Sequence, residues 1–375
     1  MPLILRFKAL ACLAAVSLAL GAASFGQVPR FRHVFLVVEG NQSYTSVIRN
    51  PAMPYLNSLA DRYGRATNYY ANSTAEGSGQ LHRSSIGNYF MLTTGELITS
   101  DDRFGAYAQY HNPFAYFADV INDPVQRANL VPFSQFASDL AAGTLPNYAF
   151  IVPNLVNDGY DCPANMWVGN MQLCSKADKL RDIDNWLQAN IGPLVASSTF
   201  QADGLLIIVF DESVYYDKTN GGGHVAAIVV SPKVKAAGYR GRALLQHQSV
   251  LKLMASALGL THYPGSSAFV SDMGQFFGDA TWSCPVRANN AFTVSICSPS
   301  DGSTLSSPLP VFAVSNNPLV LVELDIDGVV VGAPTANPLS TQVNLPPGAH
   351  LLTVQATDHT GNKASSTVSV NVVPK

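Results

Sequence analysis

The adjacent carboxylates Asp211 and Glu212 follow an apolar run, Leu205 to Phe210, that begins after Gly204. The run is short and contains three β-branched residues, which predicts a fully buried strand rather than a helix. Ligands of open α/β sheets bind beyond the carboxyl ends of the strands, so a carboxylate pair there suits a divalent cation or acid–base chemistry. The pair could equally cap the following loop, and the residues alone leave both interpretations open.

Polar side chains follow two more predicted strands of the buried type. Asn41 comes shortly after the strand His33 to Val38, and Asn154 and Asp158 follow the strand Asn147 to Val152. We expect these side chains to meet Asp211 and Glu212 at one edge of a parallel sheet.

Ser84 and Ser85 lie between a Ser/Gly-rich loop, residues 73–80, and an apolar segment, Tyr89 to Thr94, that predicts a helix. A serine at such a junction is well placed to attack an ester, because backbone amides and the helix dipole stabilise an anion there. Either serine could instead be only the N-cap of the helix.

Helices and strands alternate around these residues. The patterns predict helices over Pro51 to Tyr63, over Ala177 to Ser198 and over Ser249 to Leu258. The second of these crosses over to the strand at Gly204. A further strand is predicted over Ala66 to Tyr70. His224 lies directly before a strand predicted over Val225 to Val230, and His247 lies at the start of the third helix.

The hydrophobic pattern changes toward the C-terminus. From Ala291 onward, short runs of alternating apolar and polar residues replace the helical periodicity. Asp327-Gly328 between alternating apolar residues predicts a hairpin. The pattern predicts a small all-β sandwich of immunoglobulin-like form over residues 285–375. No residue cluster there resembles a catalytic site, so the unit is interpreted as a spacer, with contact to a glycan or another protein as the alternative.

Composition limits the function classes. The chain has 375 residues, is 47% hydrophobic and carries a formal net charge of −3. This content supports a large buried core and excludes disorder as the main state. No basic stripe is present, which excludes a nucleic-acid partner.

The N-terminus has the form of a secretory signal peptide, residues 1–26, with Arg6 and Lys8 before a short apolar run. It predicts a secreted or periplasmic protein without stable membrane insertion after cleavage. Four cysteines then remain, and their even number in an exported chain favours two disulfides. By proximity we pair Cys162 with Cys174 and Cys284 with Cys297.

Six segments, in order, resemble the phosphoesterase family that includes acid phosphatases and phosphatidylcholine-type phospholipases C. They are FLVVEGNQSY, SSIGNYFMLTTG, FIVPNLVNDGYDCP, LLIIVFDES, GGGHVAAIVVSPKVK and YRGRALLQHQSVLKLMASALGL. The resemblance covers residues 32–277, within a domain predicted over 27–284. It implies an α/β fold like that of the alkaline phosphatase superfamily, with a largely parallel sheet flanked by helices and the site at the strand ends.

The resemblance also implies roles for individual residues. Ser85 would be the nucleophile, since Asn88 and Tyr89 follow it at the family spacing. Asn41, Asp211 and Glu212 fall on the family's positions for a divalent cation of unknown identity, and Asn88, Asn154 and Asp158 would line the substrate site. His224 or His247 could protonate the leaving alkoxide, because imidazole titrates near neutrality; each could also be a structural histidine.

Three positions depart from the family pattern. Gly40 replaces a metal carboxylate, and Arg83 and Tyr160 each replace a histidine. Glu39 is adjacent to Gly40, but strand alternation would point it to the other side. The resemblance thus implies an exported hydrolase of phosphate mono- or diesters. The alternatives are a phospholipase C-type activity and a catalytically impaired fold that binds a surface ligand.

Overall fold

The computed structural model describes residues 28–73, 81–97, 111–169, 171–278, 292–315, 319–332, 339–358 and 361–374. The predicted signal peptide and the boundary at residue 284 lie outside these ranges. The division into domains therefore stays a prediction.

A six-stranded sheet forms the centre of the larger unit. Its strands are β1 (His33–Glu39), β2 (Gly64–Ala66), β4 (Tyr148–Ile151), β7 (Gly204–Phe210), β8 (Ala227–Val230) and β9 (Tyr239–Gly241). Their spatial order is β4-β1-β7-β8-β2-β9. Only β8 is antiparallel to its neighbours among these strands, so five of the six run the same way. The predicted largely parallel sheet is confirmed.

Burial of apolar residues explains the central strands. Every residue of β7 is buried, and β1 pairs with it over its whole length, from His33 with Gly204 to Glu39 with Phe210. Strands that are covered by helices on both faces need continuous apolar runs, which is the pattern that predicted them.

Helices flank the sheet. They are α1 (Tyr44–Val47), α2 (Pro54–Arg62), α3 (Leu81–Thr94), α4 (Ala118–Asn122), α5 (Pro124–Arg127), α6 (Ser134–Ala142), α7 (Lys176–Trp186), α8 (Gly192–Ala196), α9 (Ser198–Asp203) and α10 (His247–Leu258). The predicted helix over Ala177 to Ser198 is interrupted by a π-helical turn, Leu187–Ile191. Pro193 explains the interruption, because it lacks the N–H that would continue the α-helical hydrogen bonds.

Two predictions need correction. The helix predicted over Tyr89 to Thr94 begins at Leu81, so Ser85 lies within α3 rather than at its N-cap. The strand predicted over Ala66 to Tyr70 is two short strands, β2 and β3 (Tyr69–Tyr70), and β3 pairs with β10 (Leu245–Gln246) instead of joining the central sheet.

The C-terminal unit is a sandwich of two sheets with its own apolar core. Its strands are β11 (Val294–Ser298), β12 (Ser303–Ser306), β13 (Leu309–Ser315), β14 (Leu319–Ile326), β15 (Val329–Gly332), β16 (Leu339–Val343), β17 (Gly348–Asp358) and β18 (Lys363–Val373). Asp327 and Gly328 join β14 to β15 with positive φ angles of 56° and 86°, the conformation of a type I′ hairpin turn. The all-β prediction is confirmed, whereas the immunoglobulin-like form stays a prediction.

Cys162 and Cys174 form the predicted disulfide, which encloses a small hairpin of β5 (Trp167–Val168) and β6 (Met171–Gln172). Cys284 lies outside the described residues, so the second pairing stays a prediction. No helix in the described ranges is long and apolar enough to cross a membrane.

Candidate active site

The candidate site lies at the edge where β1, β4 and β7 end. Asn41 follows β1, Asp158 follows β4, and Asp211 and Glu212 follow β7. These three strands are parallel neighbours, so their carboxyl ends bring the side chains together. The backbone fixes this meeting, because the Asp211 amide donates to the Glu39 carbonyl (2.9 Å) and the Gly40 amide donates to the Asp158 carbonyl (2.9 Å).

Glu212 is the centre of the hydrogen bonds at this edge. Its Oε1 accepts a hydrogen bond from Asn41 Nδ2 at 2.6 Å and another from Ser85 Oγ at 3.1 Å. Both Ser85 and Glu212 are buried, at 1% exposure. The structure therefore brings the predicted nucleophile and the predicted metal ligand Asn41 onto one carboxylate oxygen of a second predicted ligand, Glu212.

Asp211 is fully buried beside Glu212, and its Oδ1 accepts from the Glu212 amide at 2.7 Å. Burial, followed by the negative charges of Glu212 and Asp158, raises the pKa of Asp211 well above its ordinary value. The cause is that an ionised carboxylate is costly in a site with little water and other negative charges nearby.

Glu39 lies within electrostatic reach of the same cluster, and the expectation that its side chain points to the other side of the strand stays a prediction. Its side chain is fully buried. Burial raises its pKa well above the ordinary value, and the charges of Asp158 and Asp211 raise the pKa further, so the three carboxyl groups lie within electrostatic reach of one another.

Five buried oxygens of this cluster find no hydrogen-bond partner among the described residues. They are Oε1 and Oε2 of Glu39, Oδ1 of Asn41, Oδ2 of Asp158 and Oδ2 of Asp211. Buried polar atoms are nearly always partnered, and carboxylate and amide oxygens are the ligands that hard divalent cations prefer. The residues present therefore fit a cation. Within the described ranges no three His, Cys, Asp or Glu side chains form a ready-made metal cage, so the fit depends on this mixed set with Asn41.

Asp158 is the link between this cluster and His111, a residue that sequence reasoning missed. Asp158 is fully buried; its Oδ1 accepts from the Tyr160 amide at 2.8 Å, and its Oδ2 lies 3.4 Å from His111 Nδ1. The His111 ring is buried and stacks on Tyr89 with centroids 5.0 Å apart. Nothing in the aromatic segment around His111 marks it, because its partner Asp158 lies 47 positions away in the chain.

Asn88 and Asn154, predicted to line the substrate site, make local backbone contacts. Asn88 Oδ1 accepts from the amides of Asn72 and Ser73, and its Nδ2 donates to the Ser73 carbonyl. Asn154 Oδ1 accepts from the amides of Val156 and Asn157. Asn88 thus holds the loop before α3, and Asn154 shapes the turn that presents Asp158.

His247 is buried and fully hydrogen-bonded. Its Nε2 lies 2.7 Å from the Asp211 carbonyl, which can only accept, so Nε2 carries the proton. Nδ1 then accepts from the Tyr69 hydroxyl at 2.6 Å. Burial lowers the pKa of His247 to about 4. A neutral imidazole that holds the Asp211 backbone is the arrangement of a positioning residue.

His224 is not brought to Glu212 by any described contact. Its Nε2 donates to the Thr67 carbonyl at 3.0 Å, and its ring is stacked between Tyr44 (4.2 Å) and Tyr70 (4.8 Å). It reaches the same edge of the sheet because β8 is antiparallel, so the start of β8 lies where the neighbouring strands end. Burial lowers its pKa below the ordinary value.

Of the two positions where a family histidine is replaced, the side chain of one can be located. Tyr160 is half-buried, and its pKa is raised by burial and then by nearby carboxylates, with Glu212 and Asp211 among them, so its phenol lies beside the cluster. The side chain of Arg83 lies outside the described residues.

Comparison with models of protein families identifies the family of this chain. The model described as "Phosphoesterase family" matches residues 67–261, more than half of the sequence. The chain belongs to the phosphoesterase family. The match includes Ser85, Asp211 and Glu212, and it confirms the resemblance on which their roles were predicted.

Individual relatives cover the chain unevenly. A probable acid phosphatase of Kluyveromyces lactis is 32% identical over 114 residues, which are 30% of this chain and 23% of that protein. The chain thus matches less than a quarter of the length of that acid phosphatase. A phosphatidylinositol-3-phosphatase of Mycobacterium tuberculosis is 24% identical over 318 residues, 72% of this chain and 96% of that one. A solved alkaline phosphatase superfamily protein from Vibrio parahaemolyticus is 11% identical, with coverage of 90% and 83% and a TM-score of 0.44.

Proposed function

We propose that this chain is an exported phosphoesterase that cleaves phosphate esters with Ser85 as nucleophile and a divalent cation beside Asn41, Asp211 and Glu212. The observation that carries the proposal is the convergence of the Ser85 hydroxyl and the Asn41 amide on Oε1 of Glu212. Membership of the phosphoesterase family supports the reaction class.

Electrostatics support the cation. Glu39, Asp158, Asp211 and Glu212 place four buried carboxyl groups at one sheet edge. Two unit charges 4 Å apart repel by about 4 kcal/mol at the effective dielectric of a protein surface, and more in the interior. A cluster of this kind therefore needs protons or a cation, and the unpartnered oxygens favour a cation.

Ser85 and Glu212 supply the reacting atoms. Ser85 Oγ donates to Glu212 Oε1, so this oxygen is placed to take the hydroxyl proton as Oγ bonds to phosphorus and the bond to the leaving oxygen breaks. The leaving oxygen takes the electron pair of the broken bond and is protonated from solvent. Water then attacks the phosphoserine and loses a proton to solvent as a new P–O bond forms, and the bond from phosphorus to Ser85 breaks as Oγ regains the proton held by Glu212. When bound, the cation would lower the pKa of the hydroxyl and screen the charge of the phosphate.

The surrounding residues hold this arrangement. In the proposal, His247 positions Asp211 through its carbonyl and does not donate a proton to the leaving group, because both ring nitrogens are already engaged. The Nε2 of His224 is likewise engaged by Thr67, so the described contacts give no support to either histidine as the general acid.

Asp158 favours an active enzyme over an impaired fold. It places a buried carboxylate next to Gly40, where the family pattern has a glutamate. The loss of one carboxylate from the chain after β1 is thus offset by another from the turn after β4.

The names of two relatives support one class of substrate. The names acid phosphatase and phosphatidylinositol-3-phosphatase both denote phosphate monoesterases, so we propose phosphate monoesters as the preferred substrates. Export rests on the form of the N-terminal segment. The C-terminal sandwich is proposed as a spacer or contact module.

Hydrolysis of para-nitrophenyl phosphate by the purified mature chain tests the proposal. We expect turnover that chelation abolishes and added divalent cation restores, with bis(para-nitrophenyl) phosphate cleaved more slowly. The amount of tightly bound metal measured by mass spectrometry should fall in the Asp211→Asn protein. Cation-independent turnover, or turnover that persists after Ser85→Ala, would refute this mechanism.

A further inference from the structure

A second polar site lies beside the loop that follows β1. It is a groove of about 340 Å³, lined by Tyr44, Thr45, Ile48, Arg49, Arg65, Thr67 and Arg240. Three of the seven lining residues are arginines, and none is a carboxylate. We call it the arginine groove.

Arg65 and Arg240 create an electrostatic cost in this groove. They are register partners on the adjacent parallel strands β2 and β9, so their side chains share one face of the sheet. Like charges directly opposite each other on neighbouring strands are destabilising. Arg65 is only 4% exposed, which adds a desolvation cost for its guanidinium.

The described residues offset this cost only in part. Nη1 of Arg65 donates to Asp61 Oδ1 at 2.9 Å, but Asp61 is 74% exposed, and Nε of Arg65 is buried without a hydrogen-bond partner among the described residues. Arg49 and Arg240 form no ion pair within those residues and are exposed. An anion in the groove would neutralise the opposed charges of Arg65 and Arg240.

The chemistry of the lining points to phosphate. A guanidinium presents a planar fork of donors that matches phosphate oxygens, and Tyr44 and Thr45, which carry hydroxyls, also line the groove. Arg49 is held in the uncommon left-handed conformation, with a φ of 64°, and its amide donates to Asn57 Oδ1 at 2.7 Å. Backbone strain of this kind is typical of ligand sites.

The arginine groove is near the candidate active site. The two are connected by a short stretch of the chain and by hydrogen bonds of His224. Tyr44 is three residues after Asn41, so their Cα atoms are at most about 11 Å apart. The Tyr44 amide donates to the His224 carbonyl at 2.8 Å, and Thr67 accepts from the His224 ring. His224 therefore fixes one wall of the groove relative to the strand ends that carry the active site.

We propose that the arginine groove is an anion subsite that binds a second phosphate group of a multiply phosphorylated ligand. That this ligand is the enzyme's own substrate rests on the function proposed above, whereas anion binding itself does not. The groove thus gives His224 a role in holding Tyr44 and Thr67, and it makes a bisphosphorylated compound the preferred substrate.

Calorimetric titration of inorganic pyrophosphate tests binding. The Ser85→Ala chain is used with chelator, because the cation-free carboxylate cluster then repels anions and leaves the groove as the binding site. Arg49→Ala with Arg240→Ala, both exposed, should weaken binding by about tenfold or more, the scale for lost hydrogen bonds to charged groups. Arg242→Ala is the matched control, since Arg242 is exposed near Arg240 but does not line the groove. Unchanged affinity in the double variant, or an equal loss in the control, overturns the proposal.

Kinetics test the link to substrate. The wild-type chain should show a higher kcat/KM for a soluble sugar bisphosphate than for the matching monophosphate, and the double variant should lose this preference. If the ratio of the two kcat/KM values is the same in the double variant as in the wild type, the groove does not bind the substrate. If no ester is hydrolysed at all, the proposed function is wrong, and the titration still tests whether the arginine groove binds an anion. Phosphatidylcholine vesicles with and without phosphatidic acid distinguish a lipid phosphate from a soluble one, by co-sedimentation that depends on Arg49 and Arg240.

Discussion

Asp158 occupies the space that a side chain on Gly40 would enter. A Cβ on Gly40 would lie 2.9 Å from the Asp158 carbonyl oxygen and 3.4 Å from its carboxylate. The two backbones are also joined by the hydrogen bond from the Gly40 amide to that carbonyl. Gly40 therefore leaves the space that Asp158 needs. The buried Asp158 carboxylate lies where a glutamate side chain at position 40 would begin.

Asp158→Asn should weaken cation binding by roughly 10- to 100-fold, comparable to Asp211→Asn, because it removes a buried negative charge from the cluster. Affinity for Mn²⁺ by calorimetry and kcat/KM at limiting cation are the measurements. Asp161→Asn is the control, since Asp161 is only partly buried and its Oδ1 accepts from Gln172 Nε2. Equal cation affinity for Asp158→Asn and wild type would remove Asp158 from the proposed site.

Gly40→Ala should lower both stability and turnover, with a loss of about 1–3 kcal/mol in the free energy of unfolding. The contact of 2.9 Å is with a backbone oxygen, which cannot rotate away. For the same reason Gly40→Glu should not restore a stronger site, although Gly40 stands where the family pattern has a metal carboxylate. Gly192→Ala is the control, because a Cβ there would meet the Tyr55 side chain at ordinary contact distances of 3.4 and 3.8 Å. Chemical denaturation of both variants checks the difference, and a Gly40→Glu protein with higher activity would contradict it.

The sequence was sufficient for the strands and for the edge where the site lies. Apolar β-branched runs predicted β1, β4, β7 and β8 to within two residues at each end. The polar side chains after them converge as expected, because parallel strands end at one edge.

Contacts between distant segments could not be predicted. The direction of β8 depends on how its neighbours pack, and nothing local encodes it. The Ser/Gly-rich loop before α3 conceals the helix start at Leu81, because glycine and serine favour loops. His111 joins the site through Asp158, at a sequence separation that no local pattern reports.

Ser85→Ala should reduce kcat by at least about a thousandfold, because the nucleophile is lost while cation binding by Asn41 and Glu212 remains. The small buried hydroxyl leaves little cavity, so the unfolding midpoint should change little. Ser84→Ala is the control and should be far milder, since it does not keep the family spacing to Asn88. Burst kinetics with an aryl phosphate and acid trapping of a phosphoserine peptide at Ser85 provide the direct test; a trapped phosphate on another residue would contradict the assignment.

Replacement of Cys162 and Cys174 by serine should lower the free energy of unfolding by roughly 3 kcal/mol, the scale for closing a short loop in the unfolded chain. The loop follows Asp158 directly, so cation affinity should fall as well. Urea denaturation with and without reductant checks the first effect. A stability unaffected by reductant in the wild type would show that the bridge contributes nothing.

Lys252 should make stability rise with pH in the alkaline range. Its Nζ is buried in α10 and donates to the carbonyls of Ala268 (3.0 Å) and Val270 (2.9 Å). Burial lowers its pKa from 10.5 to about 8, against the opposing effect of Asp272. Between these values the unfolded chain binds more protons than the folded one, so the free energy of unfolding increases with pH across that window, by about 3 kcal/mol at 1.4 kcal/mol per pH unit.

Urea denaturation between pH 8 and 10.5 compares the wild type with Lys252→Met. Methionine has a similar length without the charge, so the variant should lose this component of the pH dependence, whatever its stability at neutral pH. Lys218→Met, at an exposed position, is the control and should follow the wild-type curve. Parallel pH dependences of the wild type and Lys252→Met would show that Lys252 keeps its proton in the folded chain, since only a folded-state pKa below the unfolded one produces the difference.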